Sequence, residues 1–180
     1  GDALLTLAFE LANKAPAKKR YKSTHFVSEI AKTAGHSQLI AGQVADLEGE
    51  GKSVSKSQLK YIHERKTSAL LTCAVKLGGM AANCTPRQLE ALTEFGYNVG
   101  LAFQVIDDIL DVTQTSKKLG KTAGKDEAAQ KATYPSVVGL DNARKIATKL
   151  TTKAYDALKP FKGRAIALEA MADYLLKRDN

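Results

Sequence analysis

Apolar residues recur along this chain at intervals of three and four, the spacing that lines one face of an α-helix. Residues 2 to about 14 carry Leu4, Leu5, Ala8, Phe9 and Ala12 in this way and start without a preceding cap. Pro16 and the basic cluster Lys18-Lys19-Arg20 mark a loop. A second stretch, residues 23–49, runs through Phe26, Ile30, Ala34, Leu39, Ile40, Val44 and Leu47, with Gly35 and Gly42 as small residues that would permit close helix packing. Gly49-Glu50-Gly51-Lys52 breaks it. Residues 55 to about 82 read as a third helix, with Ser57 as an early-turn cap. Thr85 can cap the next helix and Pro86 takes its first position, so a fourth helix is predicted from residue 86 to about 113. A polar, lysine-rich stretch follows over residues 114–133, and further helices are predicted over about 134–159 and 164–177. Alternating β-branched runs bounded by turns are absent. The pattern predicts one all-α domain over residues 1–180.

Within the fourth helix, Phe103-Gln104-Val105-Ile106-Asp107-Asp108-Ile109-Leu110-Asp111 sets three carboxylates and an amide into an apolar run. At about 3.6 residues per turn, Gln104, Asp107, Asp108 and Asp111 fall within an arc of roughly 100°. Phe103, Ile106, Ile109 and Leu110 cover the rest, so this helix belongs inside the protein. Carboxylates crowded on one face repel each other and lose hydration, and a cluster of oxygen ligands suits Mg²⁺ or a similar hard ion.

Composition narrows the choices. The 180 residues are 44% hydrophobic and 26% charged, an ordinary globular mix with enough chain for a sizeable core. No apolar run approaches the roughly 20 residues of a membrane span, and residues 1–10 lack the basic start of a signal peptide. Cys73 and Cys84 have no metal-like spacing and are expected to be reduced thiols of a cytoplasmic protein. The net charge of +8 favours anionic partners. Lysines spread along the chain and 6% aromatics argue against nucleic acid and suit phosphorylated small molecules.

Other candidates are weaker alone. Lys66, flanked by Arg65, Thr67 and Ser68, is either a solvated charge or a point charge reaching inward to phosphate. Gly120-Lys121-Thr122-Ala123-Gly124-Lys125 and Lys131-Ala132-Thr133-Tyr134-Pro135 are either a surface loop or a diphosphate lid, and they do not form a Walker loop. Gln43 and Asp46 form a polar pair on an otherwise apolar helix, readable as a pair that hydrogen-bonds within the core or caps a neighbour. His25, His36 and His63 are scattered and make no metal-ligand pair.

Taken in order, these pieces resemble the trans-isoprenyl diphosphate synthases, the polyprenyl synthetase family. The matching segments are Gly1-Asp2-Ala3-Leu4-Leu5, Gly42-Gln43-x-x-Asp46, Lys66-Thr67, Phe103-Gln104-x-x-Asp107-Asp108-x-x-Asp111, Gly120-Lys121 and Lys131-x-Thr133-Tyr134-Pro135. The resemblance implies an isoprenoid synthase type helical bundle, Mg²⁺ as cofactor, and a prenyltransferase that condenses an allylic diphosphate with isopentenyl diphosphate. It implies Asp107 as direct metal ligand, with Asp108 and Asp111 ligating through water or completing the site. Lys66 and Lys121 would grip the allylic diphosphate, Lys131 would close behind them, and Thr67 and Gln104 would lie along the reacting carbons. Gln43 and Asp46 would belong to a supporting polar network, and the chain would form a homodimer. A class I terpene cyclase shares the metal-diphosphate logic, but the Gly-Lys and Lys-x-Thr-Tyr-Pro segments match the synthases better.

The chain departs from that family in one large respect. The family's first aspartate-rich motif lies upstream of its Gly-Asp-Ala-Leu-Leu segment, which here opens the sequence. The resemblance therefore implies the C-terminal half or slightly more of a synthase, with little or no activity alone. It also implies an apolar groove that favours self-association. The alternative is a non-catalytic diphosphate-binding or partner-binding module of the same fold.

Overall fold

The computed structural model describes residues 1–113 and 132–176. The elements are α1 (Asp2–Asn13), α2 (Ser23–Ala34), α3 (Leu39–Gly49), α4 (Lys56–His63), a π-helical turn (Glu64–Ser68), α5 (Ala69–Ala81), α6 (Pro86–Thr113), α7 (Tyr134–Val138), α8 (Leu140–Leu158), a 3₁₀ turn (Lys159–Phe161) and α9 (Ile166–Leu176). No strand occurs among the described residues, and no helix there is long and apolar enough to cross a membrane.

Helix α6 is the organising element because it is apolar on most sides. At 28 residues it spans about 42 Å. Its start follows the predicted chemistry: Thr85 Oγ1 accepts from Gln88 N at 3.3 Å, Gln88 Oε1 accepts from Thr85 N at 2.8 Å, and Pro86 opens the helix. Phe95, Val99 and Ala102 are buried against Ala154, Ala157 and Leu158 of α8 and Ala172 and Leu176 of α9. Small residues on α8 let the two backbones approach, so the large side chains of α6 fill the gap. On another side Leu92 joins Cys73 and Met80 of α5 and Phe26 and Ile30 of α2. Towards the end of α6, Val105 is enclosed by Leu59 of α4, Tyr134 of α7, and Ala143 and Ala147 of α8. Cys73 and Cys84 are both buried free thiols.

Several sequence expectations need correction. The helix predicted over residues 23–49 is two helices, α2 and α3. Gly35 leaves the helix with an extended backbone (φ −78°, ψ −172°), so it ends α2 rather than serving as a packing notch. The cap at the start of α4 is Ser55, whose Oγ accepts from Gln58 N at 3.3 Å while Gln58 Oε1 accepts from Ser55 N at 2.9 Å; Ser57 only bonds Ser55 Oγ. The helix predicted over 134–159 is interrupted at Gly139, whose φ of +82° suits a residue without a side chain. The last helix begins at Ile166, after Gly163 turns with φ +74°.

Candidate functional site

Lys66 and Thr67 do not lie on a regular α-helix. They sit in the π-helical turn Glu64–Ser68, which joins α4 to α5. Such turns insert one extra residue and re-aim the side chains around it. Two glycines hold this one in place. A Cβ on Gly42 of α3 would lie 2.4 Å from Lys66 N, and one on Gly100 of α6 would lie 2.6 Å from Ser68 Cα. Both neighbours are backbone, so α3 and α6 can approach only because these residues lack side chains. Ser68 Oγ adds a bond to the Tyr97 carbonyl at 2.8 Å.

One turn beyond Gly42, Asp46 meets the turn: Lys66 Nζ lies 2.5 Å from Asp46 Oδ2. Asp46 is therefore part of an ion pair across two elements rather than a core bond with Gln43, which is exposed. The Lys66 ammonium keeps donors beyond the one given to Asp46, and its side chain remains 32% exposed, enough to reach an anion.

On the α6 side, three polar residues form a line. Thr67 Oγ1 donates to Gln104 Oε1 at 3.1 Å, and Gln104 Nε2 donates to Asp108 Oδ1 at 3.1 Å. Asp108 Oδ2 accepts from the backbone N–H of Tyr134 at 2.9 Å. That N–H opens α7 and has no partner inside its own helix, so the carboxylate supplies one. Thr133 caps the same helix through Ser136 N at 3.3 Å, which fixes where Tyr134 N points. Asp108 is buried, and each of its oxygens already accepts a protein hydrogen bond.

His63 completes this cluster, and nothing in the sequence spacing marked it. It is buried, with Nε2 3.9 Å from Asp108 Oδ2 and its ring 5.3 Å from that of Tyr134. Nδ1 has no partner among the described residues. Burial pushes the His63 pKa down to about 4, with Lys66 adding to the shift and Asp46 opposing it, so the ring is neutral near pH 7. Burial, aided by Asp108, also raises the Tyr134 phenol to about 12. At the edge of the turn, burial alone would raise the Glu64 carboxyl. The Tyr97 hydroxyl and the Lys60 ammonium, both bonded to it, outweigh that and hold it below the usual range.

The structure thus brings together Lys66, Thr67, Gln104 and Asp108, with Asp46 paired to Lys66 and His63 as an addition. Asp107 is half-buried and Asp111 is buried, four residues apart on α6. Lys121 and Lys131 lie outside the described residues. Among the described residues, no three His, Cys, Asp or Glu side chains are gathered into a metal-binding group. The donor chemistry still suits magnesium: the carboxylates of Asp107 and Asp111 are hard oxygen ligands on successive turns, and Asp107 is reachable from outside. Asp108 fits less well as a direct ligand, since a metal would compete with Gln104 and Tyr134 for its oxygens.

A family model described as "Polyprenyl synthetase" matches residues 1–172. A chloroplastic geranylgeranyl pyrophosphate synthase of Capsicum annuum is 45% identical over the whole of this chain, which covers 50% of that protein. The chloroplastic large subunit 1 of a heterodimeric geranylgeranyl pyrophosphate synthase from Arabidopsis thaliana is 43% identical over the whole chain and 50% of that protein. The crystal structure of a geranyltransferase from Helicobacter pylori, complexed with magnesium and isoprenyl diphosphate, superposes with a TM-score of 0.79 at 30% identity. It covers 98% of this chain and 57% of that one. The chain spans about half the length of the curated relatives it matches.

Proposed function

We propose that this chain, which belongs to the polyprenyl synthetase family, carries one side of a magnesium–diphosphate clamp for prenyl transfer of the farnesyl or geranylgeranyl diphosphate synthase type. The observation that carries the reading is the convergence of three elements on one site. The π turn supplies Lys66 and Thr67, α3 supplies Asp46, and α6 supplies Gln104 with the aspartates. A cation, an aligned pair of oxygens and a carboxylate-rich helix are what ionising an allylic diphosphate requires.

Lys66 binds the diphosphate of the allylic substrate, and Asp46 holds the ammonium in position. Asp107 would hold the magnesium, with Asp111 completing the site and Asp108 kept by its bonds to Gln104 and Tyr134, and Lys121 and Lys131 would add positive charge from outside the described residues. Bound magnesium would supply charge neutralisation for the departing diphosphate. The C–O bond breaks with its electron pair leaving on the diphosphate. The oxygens of Thr67 and Gln104 face the electron-poor allylic carbons. The double bond of isopentenyl diphosphate forms the new C–C bond, and the departing diphosphate takes the released proton.

These 180 residues hold one Asp-Asp-x-x-Asp segment, so the polypeptide by itself is expected to turn over little. That single segment also favours a second reading, a diphosphate-binding module that acts only beside a partner chain. Exposed leucines and a relative named as a heterodimeric subunit agree with a dimer, of two copies or of two different chains. The relatives' chloroplastic names favour a plastid over the cytoplasm expected from the sequence.

Incorporation of labelled isopentenyl diphosphate into prenyl product tests the enzymatic reading. In a polypeptide competent for turnover, Asp107→Ala is expected to lower the rate by at least about 100-fold, the scale of a lost electrostatic group. Unchanged turnover would remove the metal role.

A further inference from the structure

We infer that Asp108 is a positioning residue that fixes which way the Gln104 amide faces, and thereby which end of that dipole is presented beside Thr67. The inference rests on the reading that electron-poor carbon develops along Thr67 and Gln104. A glutamine amide can turn over at little cost, exchanging a donor for an acceptor of nearly the same shape, and only its partners decide the orientation. Here the partners are unequal. Asp108 Oδ1 lies 3.1 Å from Gln104 Nε2, and an ionised carboxylate can only accept. Thr67 Oγ1, at 3.1 Å on the other side, can donate or accept and follows whichever end it meets.

Asp108 is itself held. Its Oδ2 accepts the Tyr134 backbone N–H at 2.9 Å, and it is buried, so it cannot rotate to offer another face. Each donor hydrogen in the line, from the Thr67 hydroxyl through the Gln104 amide, therefore points toward Asp108. Oxygen lone pairs are left at the Thr67 end. Reversed, the same amide would place N–H groups there and repel positive charge.

An asparagine at this position makes the assignment testable. The Tyr134 N–H is a fixed donor, so Asp108→Asn must give that site its oxygen and turn its NH₂ toward Gln104. The Gln104 amide must then reverse, with Nε2 donating to Thr67. Thr67→Val removes the adaptable partner and leaves Asp108 in control.

The experiment is NMR of the protein labelled with ¹⁵N-glutamine, reading through-space contacts of the Gln104 Nε2 protons. It is paired with titration of inorganic diphosphate in the presence of Mg²⁺. In the unsubstituted protein and in Thr67→Val, the contacts are expected to Asp108 β protons; in Asp108→Asn they move to the Thr67 β and methyl protons. Magnesium-dependent diphosphate binding is expected within about twofold of the unsubstituted protein in Asp108→Asn, and at least about tenfold weaker in Asp107→Asn, the scale of one lost charged contact.

An amide that stays in place in Asp108→Asn, or that turns in Thr67→Val, would overturn the inference. Loss of diphosphate binding in Asp108→Asn as large as that in Asp107→Asn would also overturn it, by making Asp108 a metal ligand. Should Asp108→Asn not fold, Thr67→Val decides alone. Unchanged diphosphate binding in Asp107→Asn would sink the metal reading instead, and the amide contacts would still decide the role of Asp108.

Discussion

The ammonium of Lys66 lies 2.5 Å from Asp46 Oδ2, joining the π turn to α3 across 20 residues of sequence. Asp46 is more buried than Lys66, so the pair anchors at the carboxylate and leaves the cation partly exposed. A lysine held this way is pre-aimed and loses less freedom when it meets an anion. Lys66→Ala is expected to weaken diphosphate binding by about tenfold or more, the scale of one charge-assisted contact. Asp46→Asn should weaken it less, because the charge remains and only its aim is lost. The pair is part-exposed, so either change should cost no more than about 1 kcal/mol of stability. Isothermal titration with inorganic diphosphate and urea unfolding separate the two effects; equal binding in all three proteins would contradict the role of Lys66.

The turn depends on close backbone approach, and Gly42 marks the tightest point. A Cβ there would stand 2.4 Å from Lys66 N, so Gly42→Ala must push α3 away. The expected cost is about 1–3 kcal/mol. Gly78, on α5, has no atom within 4 Å of a built Cβ. Gly78→Ala should instead stabilise by about 0.5–1 kcal/mol through helix propensity. Chemical denaturation of both variants tests the contrast, and equal destabilisation would refute it.

His63 makes stability depend on mild acid. Its folded pKa is about 4 against 6.5 for an ordinary histidine, so the unfolded chain binds more protons between those values. Its contribution is fully present above about pH 6.5 and is lost as pH falls toward 4. At pH 4.5 the loss amounts to about 2–3 kcal/mol. His63→Gln removes the titration, and its unfolding free energy should fall less between pH 7 and 4.5 than that of the unsubstituted protein. Parallel pH profiles would show that His63 is not buried neutral.

Two apolar stripes lack cover among the described residues. Leu4, Leu7 and Leu11 on α1 are 71%, 44% and 59% exposed, and Ile40, Val44 and Leu47 on α3 are 52%, 46% and 56% exposed. Each set follows helical spacing, so each is one continuous face. Sedimentation velocity is expected to show self-association that Leu11→Glu with Val44→Lys reduces. A monomer at high concentration, with or without those changes, would contradict this.

Much of this architecture was legible in the order of residues. Thr85-Pro86 and the long apolar run located α6, and the spacing of Gln104, Asp107, Asp108 and Asp111 placed the candidate chemistry on it. The breaks at Gly35 and Gly139 were not legible, because an isolated glycine inside an apolar pattern is compatible with a helix that continues. The π turn was hidden for a similar reason: one extra residue scarcely disturbs a three-and-four pattern. His63 entered through a tertiary contact with a residue far along the chain, as did the pairing of Asp46, itself singled out from the sequence, with Lys66. The second partner of Asp108 is a backbone N–H 26 residues away, which no side-chain motif encodes. Its pairing with Gln104, by contrast, follows from helical spacing of four.

Diphosphate binding through magnesium held by α6 is the step on which the proposed reaction depends. Titration of geranyl diphosphate into the 180-residue protein, with Mg²⁺ and then with excess chelator, tests it directly. Binding is expected that chelation abolishes and that Asp107→Ala weakens by at least about tenfold, the loss of one charged ligand. Binding that is indifferent to both magnesium and Asp107 would contradict it.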